Sequence, residues 1–207
     1  MPKKLMIFDC DGVLVDSEII AHRVVAEALQ KVGCAISVEE SIRYLTGINR
    51  QHSRELLREM YGVNISDAFW EEEQERVIKA FEGELNALNL DVLQKLSYYK
   101  TEICLASSSQ RRRVITALSV TNQLQYFEGA AIFTSQQVKH GKPAPDLFLL
   151  AASTMGYAPK ECVVIEDSPA GVEAGLAAGM TVIGCSHARF PWYQEWLKTY
   201  PIQVSSL

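Results

Sequence analysis

Residues 4–17 read KLMIFDCDGVLVDS. The run from Lys4 to Phe8 is apolar without polar alternation, which is typical of a strand covered on both faces of a parallel sheet. It ends at Asp9 and Asp11, and Gly12 permits a tight turn directly after them. Ligands bind at the carboxyl ends of strands in open parallel sheets. This stretch therefore predicts both a buried strand and the position of a site.

Other short apolar runs have the same character, and helical patterns lie between them. The further strand candidates are Glu102 to Ala106, Cys162 to Ile165 and Thr181 to Ile183, with Ala131 to Phe133 as a candidate fifth strand. The helical patterns are Arg112 to Leu124, Asp146 to Met155 and Pro169 to Ala178. Strands that alternate with helices predict an α/β fold with a doubly wound parallel sheet.

One long stretch breaks this alternation. From about residue 16 to residue 88 the pattern is helical almost throughout, with candidate helices at His22 to Lys31, Ser37 to Tyr44, His52 to Tyr61 and Ser66 to Phe81. The sequence therefore predicts a core made of residues 1–15 and 89–207. A helical domain at residues 16–88 would interrupt that core after its first strand.

The composition of the chain limits the kinds of molecule that we expect it to bind. The chain has 207 residues and a net charge of −5, which argues against nucleic acid or a membrane surface as a partner. Its five cysteines are odd in number and include no CxxC pair, which indicates buried free thiols in a reducing compartment. The apolar part of the N-terminus is too short for a signal peptide, and no run of about 18 apolar residues occurs. We expect a cytoplasmic protein that is a monomer or, alternatively, a dimer.

Polar side chains also follow the later strand candidates. Ser107 and Ser108 come directly after the second apolar run, and Lys142 follows the candidate strand that ends at residue 133. Glu166 and Asp167 follow the run that ends at residue 165. Because parallel strands end at the same edge of a sheet, we expect these groups to converge with the two acids near the N-terminus.

The acids suit phosphoryl transfer assisted by a metal. Asp9, Asp11 and Asp167 have no basic neighbour in sequence, and together they would select a hard cation, Mg²⁺. A carboxylate with a reference pKa of ~4 is ionised at neutral pH and needs no activating base. Asp9 could therefore attack a phosphate, while Asp11 protonates the leaving oxygen and later deprotonates water. This pattern predicts two-step displacement through an aspartyl-phosphate.

Three features allow a functional and a simpler interpretation. Ser107, with nearby backbone N–H groups, could bind a phosphate, or it could cap the following helix. Lys142 lies in a loop stiffened by prolines and could reach the site, or it could be an exposed loop lysine. Residues 111–113 are three arginines, which we interpret as the solvated start of a helix. Attraction of an anionic substrate is the alternative for them.

Taken in order, these residues resemble the four motifs of the haloacid dehalogenase superfamily. The segment DCDGVLVDS at residues 9–17 resembles the first motif, and Ser107 and Lys142 resemble the second and third. The segment IEDSPAG at residues 165–171 resembles the fourth. The resemblance covers nearly the whole chain, and it implies a Rossmann-like core.

The resemblance also implies a metal site. Asp9 would be the nucleophile and a ligand of Mg²⁺, and Asp11 would be the general acid/base, with its backbone carbonyl as a second ligand. Asp167 would complete the site, and Glu166 would support it as a further metal-site residue.

The resemblance implies a phosphate site and a cap as well. Ser107 and Lys142 would hold the phosphoryl group, with Gly12 and Ser108 beside it. The helical insert resembles the cap of subfamily I, which closes over the site, excludes water and recognises the leaving group.

Within the family, the chain is similar to the subgroup of β-phosphoglucomutases, sugar-phosphate phosphatases and 6-phosphogluconate phosphatases. The mutases carry a histidine twelve residues after the nucleophile, where this chain has Ala21, with His22 next to it. Arg50 matches a mutase cap arginine that grips a distal phosphate, and a surface ion pair is its alternative. We therefore expect a Mg²⁺-dependent phosphatase of a small phosphorylated sugar or sugar acid. A β-phosphoglucomutase-type phosphomutase is the alternative.

Overall fold

The computed structural model describes residues 4–46, 50–127, 131–185, 199 and 203–205. The chain folds into two compact units: the core unit, Met1–Val15 with Ala87–Leu207, and the insert unit, Asp16–Asn86. Within the core unit, the two ends of the interruption are joined through the backbone. Val15 forms an antiparallel bridge with Ala87, and the N–H of Leu88 donates to the carbonyl of Leu14 at 2.7 Å.

The described part of the insert unit is helical. Its helices are α1 (Glu18–Lys31), α2 (Val38–Leu45), α3 (Arg50–Tyr61) and α4 (Asp67–Glu84). Ser37 begins α2 with a capping box, in which its hydroxyl accepts from the Glu40 N–H and the Glu40 carboxylate accepts from the Ser37 N–H. A buried cluster that includes Leu29, Ile36 and Leu57 packs between the helices. The unit thus has a hydrophobic core of its own.

The core unit is built on a parallel sheet, as the sequence predicts. Its described strands are β1 (Leu5–Phe8), β2 (Ile103–Ser107), β3 (Ile132–Thr134), β4 (Cys162–Glu166), β5 (Thr181–Cys185) and β6 (Gln203–Ser205). Their order across the sheet is β3-β2-β1-β4-β5-β6, and every neighbouring pair is parallel. The α/β fold class is confirmed. The sequence does not predict β6, because Gln203 and Ser205 are polar and leave no apolar run to mark it.

β1 occupies a central place in this sheet. Ile7 lies between Cys104 of β2 and Val164 of β4. Leu5, Ile7 and Phe8 are fully buried, which explains the uninterrupted apolar run in the sequence. Because its neighbours run in the same direction, the residues that follow β1, β2 and β4 emerge at one edge.

Four further α-helices belong to the core unit in its described part. They are α5 (Leu90–Tyr98), α6 (Arg111–Val120), α7 (Asp146–Met155) and α8 (Pro169–Ala177). The limits of α7 are as predicted, whereas α6 stops four residues before the predicted end at residue 124. Asn122 adopts a left-handed conformation with φ of 57°, and the Thr121 hydroxyl donates back to the Ala117 carbonyl. Both features end the helix. α5 lies outside the helical patterns seen in the sequence.

Two remaining features bear on the environment of the chain. All five cysteines are buried and free. Across the described residues, no helix combines the length and the apolar character needed to cross a lipid bilayer.

Candidate active site

Lys142 is buried where three strands end. Its Nζ donates to Asp9 Oδ1 at 2.6 Å, to the Ala106 carbonyl at 3.0 Å and to Glu166 Oε1 at 2.8 Å. Its side chain is only 3% exposed. The alternative interpretation as an exposed loop lysine is therefore wrong. One ammonium group links the ends of β1, β2 and β4.

Asp9 is the buried carboxylate at the end of β1. Its pKa is raised from the ordinary value of 3.8 to about 7, chiefly by burial, with smaller increases from the negative charges of Glu166 and Asp11. The ammonium group of Lys142 lowers the pKa but does not cancel the effect of burial. The site therefore favours an additional positive charge, which would stabilise the ionised form of Asp9.

Both oxygens of Glu166 have protein partners. Oε1 accepts from Lys142, and Oε2 accepts from the N–H of Ser168 at 2.7 Å and from its hydroxyl at 3.0 Å. The hydroxyl of Ser168 in turn caps α8 by accepting from the Gly171 N–H. This arrangement orients Lys142 and fixes the start of α8. Glu166 therefore supports the site by binding Lys142 and Ser168.

Asp167 lies against the turn that follows β1. Gly12 in that turn has φ of +76°, a conformation that favours glycine. A Cβ atom at Gly12 would lie 2.6 Å from Asp167 Cγ and would overlap Oδ2. The missing side chain of Gly12 thus makes room for the Asp167 carboxylate beside the segment that carries Asp9 and Asp11.

Asp11 is held by Arg113 and Ser109, whose places in the site are not predicted from the sequence. Arg113 Nη2 donates to Oδ1 at 2.9 Å, and the Ser109 hydroxyl donates to Oδ2 at 2.6 Å. Ser109 belongs to the loop after β2, and Arg113 lies in the first turn of α6. The interpretation of residues 111–113 as a solvated helix start is therefore wrong for Arg113, whose side chain is 15% exposed. The helical position of this arginine beside the end of β2 is the signal that could have found it.

Ser107 is the last residue of β2 and is almost fully buried. Its hydroxyl oxygen accepts from the Ser109 N–H at 3.0 Å, and α6 has Gln110 at its N-cap position. The helix-capping alternative for Ser107 is therefore wrong. Ser108 is exposed, and its carbonyl accepts from the Ser135 hydroxyl at 2.7 Å. Hydrogen bonds at Ser107 and Ser108 thus hold the turn at residues 107–109 in place beside the Asp11 carboxylate.

Arg50 belongs to the insert unit. It is the first residue of α3 and is exposed. In the same unit, His22 bridges two helices: Nδ1 lies 2.9 Å from the Ser41 hydroxyl, and Nε2 lies 3.0 Å from the Thr46 hydroxyl. The substrate-binding role of Arg50 stays a prediction.

The donors of the core unit fit a Mg²⁺ ion. Burial raises the pKa of the Cys185 thiol to about 12, and the negative charges of Asp167, Glu166 and Asp9 add to this effect. Among the described residues, no three His, Cys, Asp or Glu side chains form a preassembled metal cluster. Mg²⁺ does not require one, because it is commonly bound by one or two carboxylates together with waters and substrate phosphates. Asp9, Asp167 and the backbone carbonyl of Asp11 are the groups that would hold the ion, as the family resemblance implies.

The chain matches a known protein family over most of its length. The haloacid dehalogenase-like hydrolase family matches residues 6–185 of the chain. The 6-phosphogluconate phosphatase of Escherichia coli K12 is 29% identical over 180 residues, which cover 84% of this chain and 79% of that protein. Hexitol phosphatase A of the same organism is 34% identical over 184 residues, covering 87% and 82%.

A solved structure extends the similarity to the whole fold. It is a hydrolase of the same family from Deinococcus radiodurans R1, with bound phosphate and sodium. It is 30% identical, covers 99% of this chain and 92% of its own, and has a TM-score of 0.77. With the parallel sheet and the acids at its edge, these matches establish that the chain belongs to the haloacid dehalogenase-like hydrolases, as an enzyme of the phosphoric monoester hydrolase class.

Proposed function

We propose that the chain is a Mg²⁺-dependent phosphatase that hydrolyses a small phosphorylated sugar or sugar acid through a phosphorylated Asp9. The observation that carries this proposal is the buried Asp9 carboxylate, which Lys142 holds at 2.6 Å, with a second acid two residues later. A nucleophile fixed in this way loses little freedom on reaction. Asp11 then supplies the proton transfers that the two steps need.

In the first step, an oxygen of Asp9 bonds to phosphorus while the bond from phosphorus to the leaving oxygen breaks. The proton on Asp11 passes to that leaving oxygen, and the product is an alcohol. In the second step, a water oxygen attacks phosphorus and gives its proton to Asp11. The bond between phosphorus and Asp9 then breaks, so inorganic phosphate leaves and both acids return to their starting states.

Charge neutralisation is what the first step requires most, because a carboxylate must approach a phosphate of the same sign. Lys142 is buried and permanently paired with two acids, which raise its pKa and keep it protonated. Asp9, Asp167 and the Asp11 carbonyl would hold Mg²⁺. When bound, the ion supplies the further positive charge that the phosphate oxygens and Asp9 need.

The phosphoryl group itself would lie against the Ser107 turn. The buried hydroxyl of Ser107 and the backbone N–H groups of the turn after β2 are donors of the kind that bind phosphate, and Lys142 would reach a phosphoryl oxygen by exchanging one of its three present contacts. Gly12 and Ser108 would line the same place. The phosphate bound by the Deinococcus radiodurans relative supports a phosphate site in this family of folds.

The substrate class is proposed from the relatives and from the charge of the chain. Their names specify 6-phosphogluconate and hexitol phosphates as substrates of those proteins. A net charge of −5 disfavours nucleic acid as a substrate. We therefore propose a small phosphorylated metabolite, with Arg50 and the insert at residues 16–88 contributing its recognition.

The phosphomutase alternative has less support from the residues. His22, the histidine nearest the mutase position, lies between the hydroxyls of Ser41 and Thr46 inside the insert unit. A histidine engaged on both ring nitrogens has no nitrogen left for substrate unless one of those contacts breaks. We therefore retain hydrolysis as the proposal.

The test is a phosphate-release screen over phosphorylated sugars, sugar acids and nucleotides. We expect release from a sugar or sugar-acid phosphate with Mg²⁺, loss of activity with EDTA and recovery when Mg²⁺ is added in excess. Asp9→Asn should retain below about 1% of the activity, whereas the exposed Asp91→Asn should behave like the wild-type protein. Substantial activity in Asp9→Asn would overturn the mechanism. Migration of phosphate between two carbons of a hexose phosphate without release would establish the mutase instead.

A further inference from the structure

The carboxylate of Asp11 is fixed by two partners from one stretch of the core unit. Arg113 holds Oδ1 at 2.9 Å, and Ser109 holds Oδ2 at 2.6 Å. The side chain of Asp11 is 28% exposed and that of Arg113 is 15% exposed, so the ion pair is partly shielded from water. The N–H of Ser109 also donates to the Ser107 hydroxyl, which ties the same stretch to the proposed phosphate site.

We propose that Arg113 and Ser109 are positioning residues that hold the Asp11 carboxylate in the orientation for proton transfer to the leaving oxygen. The proposal rests on the phosphatase function, because it concerns the step in which the leaving alcohol forms. An acid two residues after the nucleophile can rotate about two side-chain bonds. Two charge-assisted hydrogen bonds on separate oxygens restrict that rotation.

The two partners differ in what they allow each oxygen to do. A guanidinium group only donates, so the oxygen it contacts must remain an acceptor. The neutral Ser109 hydroxyl donates to Oδ2 without placing a positive charge beside it, so Oδ2 can carry a proton directed at the leaving oxygen while it still accepts from Ser109. This difference assigns Oδ2 of Asp11 as the oxygen that gives its proton to the leaving group and later takes one from water. Oδ1 serves as the anchor.

The neighbouring arginines supply a contrast. Arg111 Nη1 donates to the Ile132 carbonyl at 2.8 Å and thereby attaches α6 to β3. Arg112 is exposed. Arg112 therefore offers a control that removes the same charge from the next position, which separates a direct effect on Asp11 from a change in the general electrostatic field.

The experiment compares two leaving groups. The p-nitrophenolate ion leaves without protonation, whereas a sugar alkoxide needs a proton from Asp11. We expect Arg113→Gln and Ser109→Ala to lower kcat/KM for the best sugar phosphate of the screen by ~10-fold or more, with a change of at most about 3-fold for p-nitrophenyl phosphate. kcat/KM is the right quantity, since it reports the steps up to formation of phosphorylated Asp9 and omits the second step that both substrates share.

Further variants and measurements make the result specific. Arg113→Lys should recover part of the loss, and Arg112→Gln should show no difference between the substrates. Inhibition by inorganic phosphate should stay unchanged in Arg113→Gln. Equal losses on both substrates, or inhibition by phosphate that weakens in parallel with activity, would mean that Arg113 binds the phosphoryl group or only stabilises the fold, and the proposal would be overturned.

Asp11→Asn distinguishes this inference from the function on which it rests. If Asp11→Asn discriminates against the alkyl leaving group and neither Arg113→Gln nor Ser109→Ala does, only the positioning role fails. If Asp11→Asn treats both substrates alike while Asp9→Asn is inactive, Asp11 is not the acid, and the proposed mechanism fails with the inference.

Discussion

Replacing Gly12 by alanine should disable the metal site through a single methyl group. Gly12 has φ of +76°, and an added Cβ would lie 2.6 Å from Asp167 Cγ, whereas ordinary contact begins at 3.4 Å. The Asp167 carboxylate would have to move by about 1 Å or more, and a displacement of that size near a reacting centre can reduce the rate by ~10²-fold. The left-handed backbone adds ~1–2 kcal/mol of destabilisation for any residue with a Cβ.

Gly156→Ala is the matched control for this change. Gly156 ends α7 with φ of +79°, and a Cβ there would meet nothing within 4 Å. Gly156→Ala should therefore lose ~1–2 kcal/mol of unfolding free energy in urea denaturation, and Gly12→Ala should lose at least as much because its methyl group also meets Asp167. Only Gly12→Ala should also lose ~10²-fold in kcat/KM with p-nitrophenyl phosphate and need more Mg²⁺ for half-maximal activity. If Gly12→Ala is as active as Gly156→Ala at equal Mg²⁺, then Asp167 does not need its present position, and its role as a ligand is refuted.

Three other changes test the electrostatics and packing of the site. Because burial raises the pKa of Asp9 from 3.8 to about 7, the folded protein binds this proton more tightly than the unfolded chain, so stability falls as pH rises through that interval. Without metal, Asp9→Asn should consequently show a smaller fall in Tm between about pH 5 and 8 than the wild-type protein. If Tm falls equally with pH in both proteins in EDTA, burial does not raise the pKa of Asp9. Lys142→Met leaves the buried Asp9 and Glu166 without their shared cation and should lower the unfolding free energy at pH 8 by ~3–5 kcal/mol. Its control is Lys95→Met, which breaks an exposed ion pair with Asp91 and should change the unfolding free energy by less than ~0.5 kcal/mol. Gly171→Ala places a Cβ 2.5 Å from Glu166 Oε2 and should reduce both the stability and the activity of the protein. Its control is Gly83→Ala, in open space on α4, which should stabilise the protein by ~0.5–1 kcal/mol. If the two variants shift Tm in the same direction in thermal melts, the packing of Gly171 against Glu166 is not as described.

The sequence by itself determines the α/β class and the position of the main acids. Four of the six described strands are apolar enough on both faces to stand out without any tertiary information, and a fifth, β3, is detected as a candidate. Asp9 and Asp11 follow β1 directly, so their placement needs only the strand and the rule that parallel strands end at one edge. The same reasoning brings Ser107, Glu166 and Asp167 to that edge. Local patterns and chain connectivity suffice for these conclusions.

Tertiary structure decides which side chains meet at that edge. The partners of Asp11 are 98 and 102 residues away in sequence, and Lys142 is 133 residues from Asp9. The sequence shows a run of three arginines but does not reveal that Arg113 contacts an acid while Arg112 is exposed. Likewise, Gly12 reads as a turn residue, although its lack of a side chain also makes room for Asp167. Such pairings depend on the register of strands and the rotation of helices, and both are fixed only when the distant segments pack together.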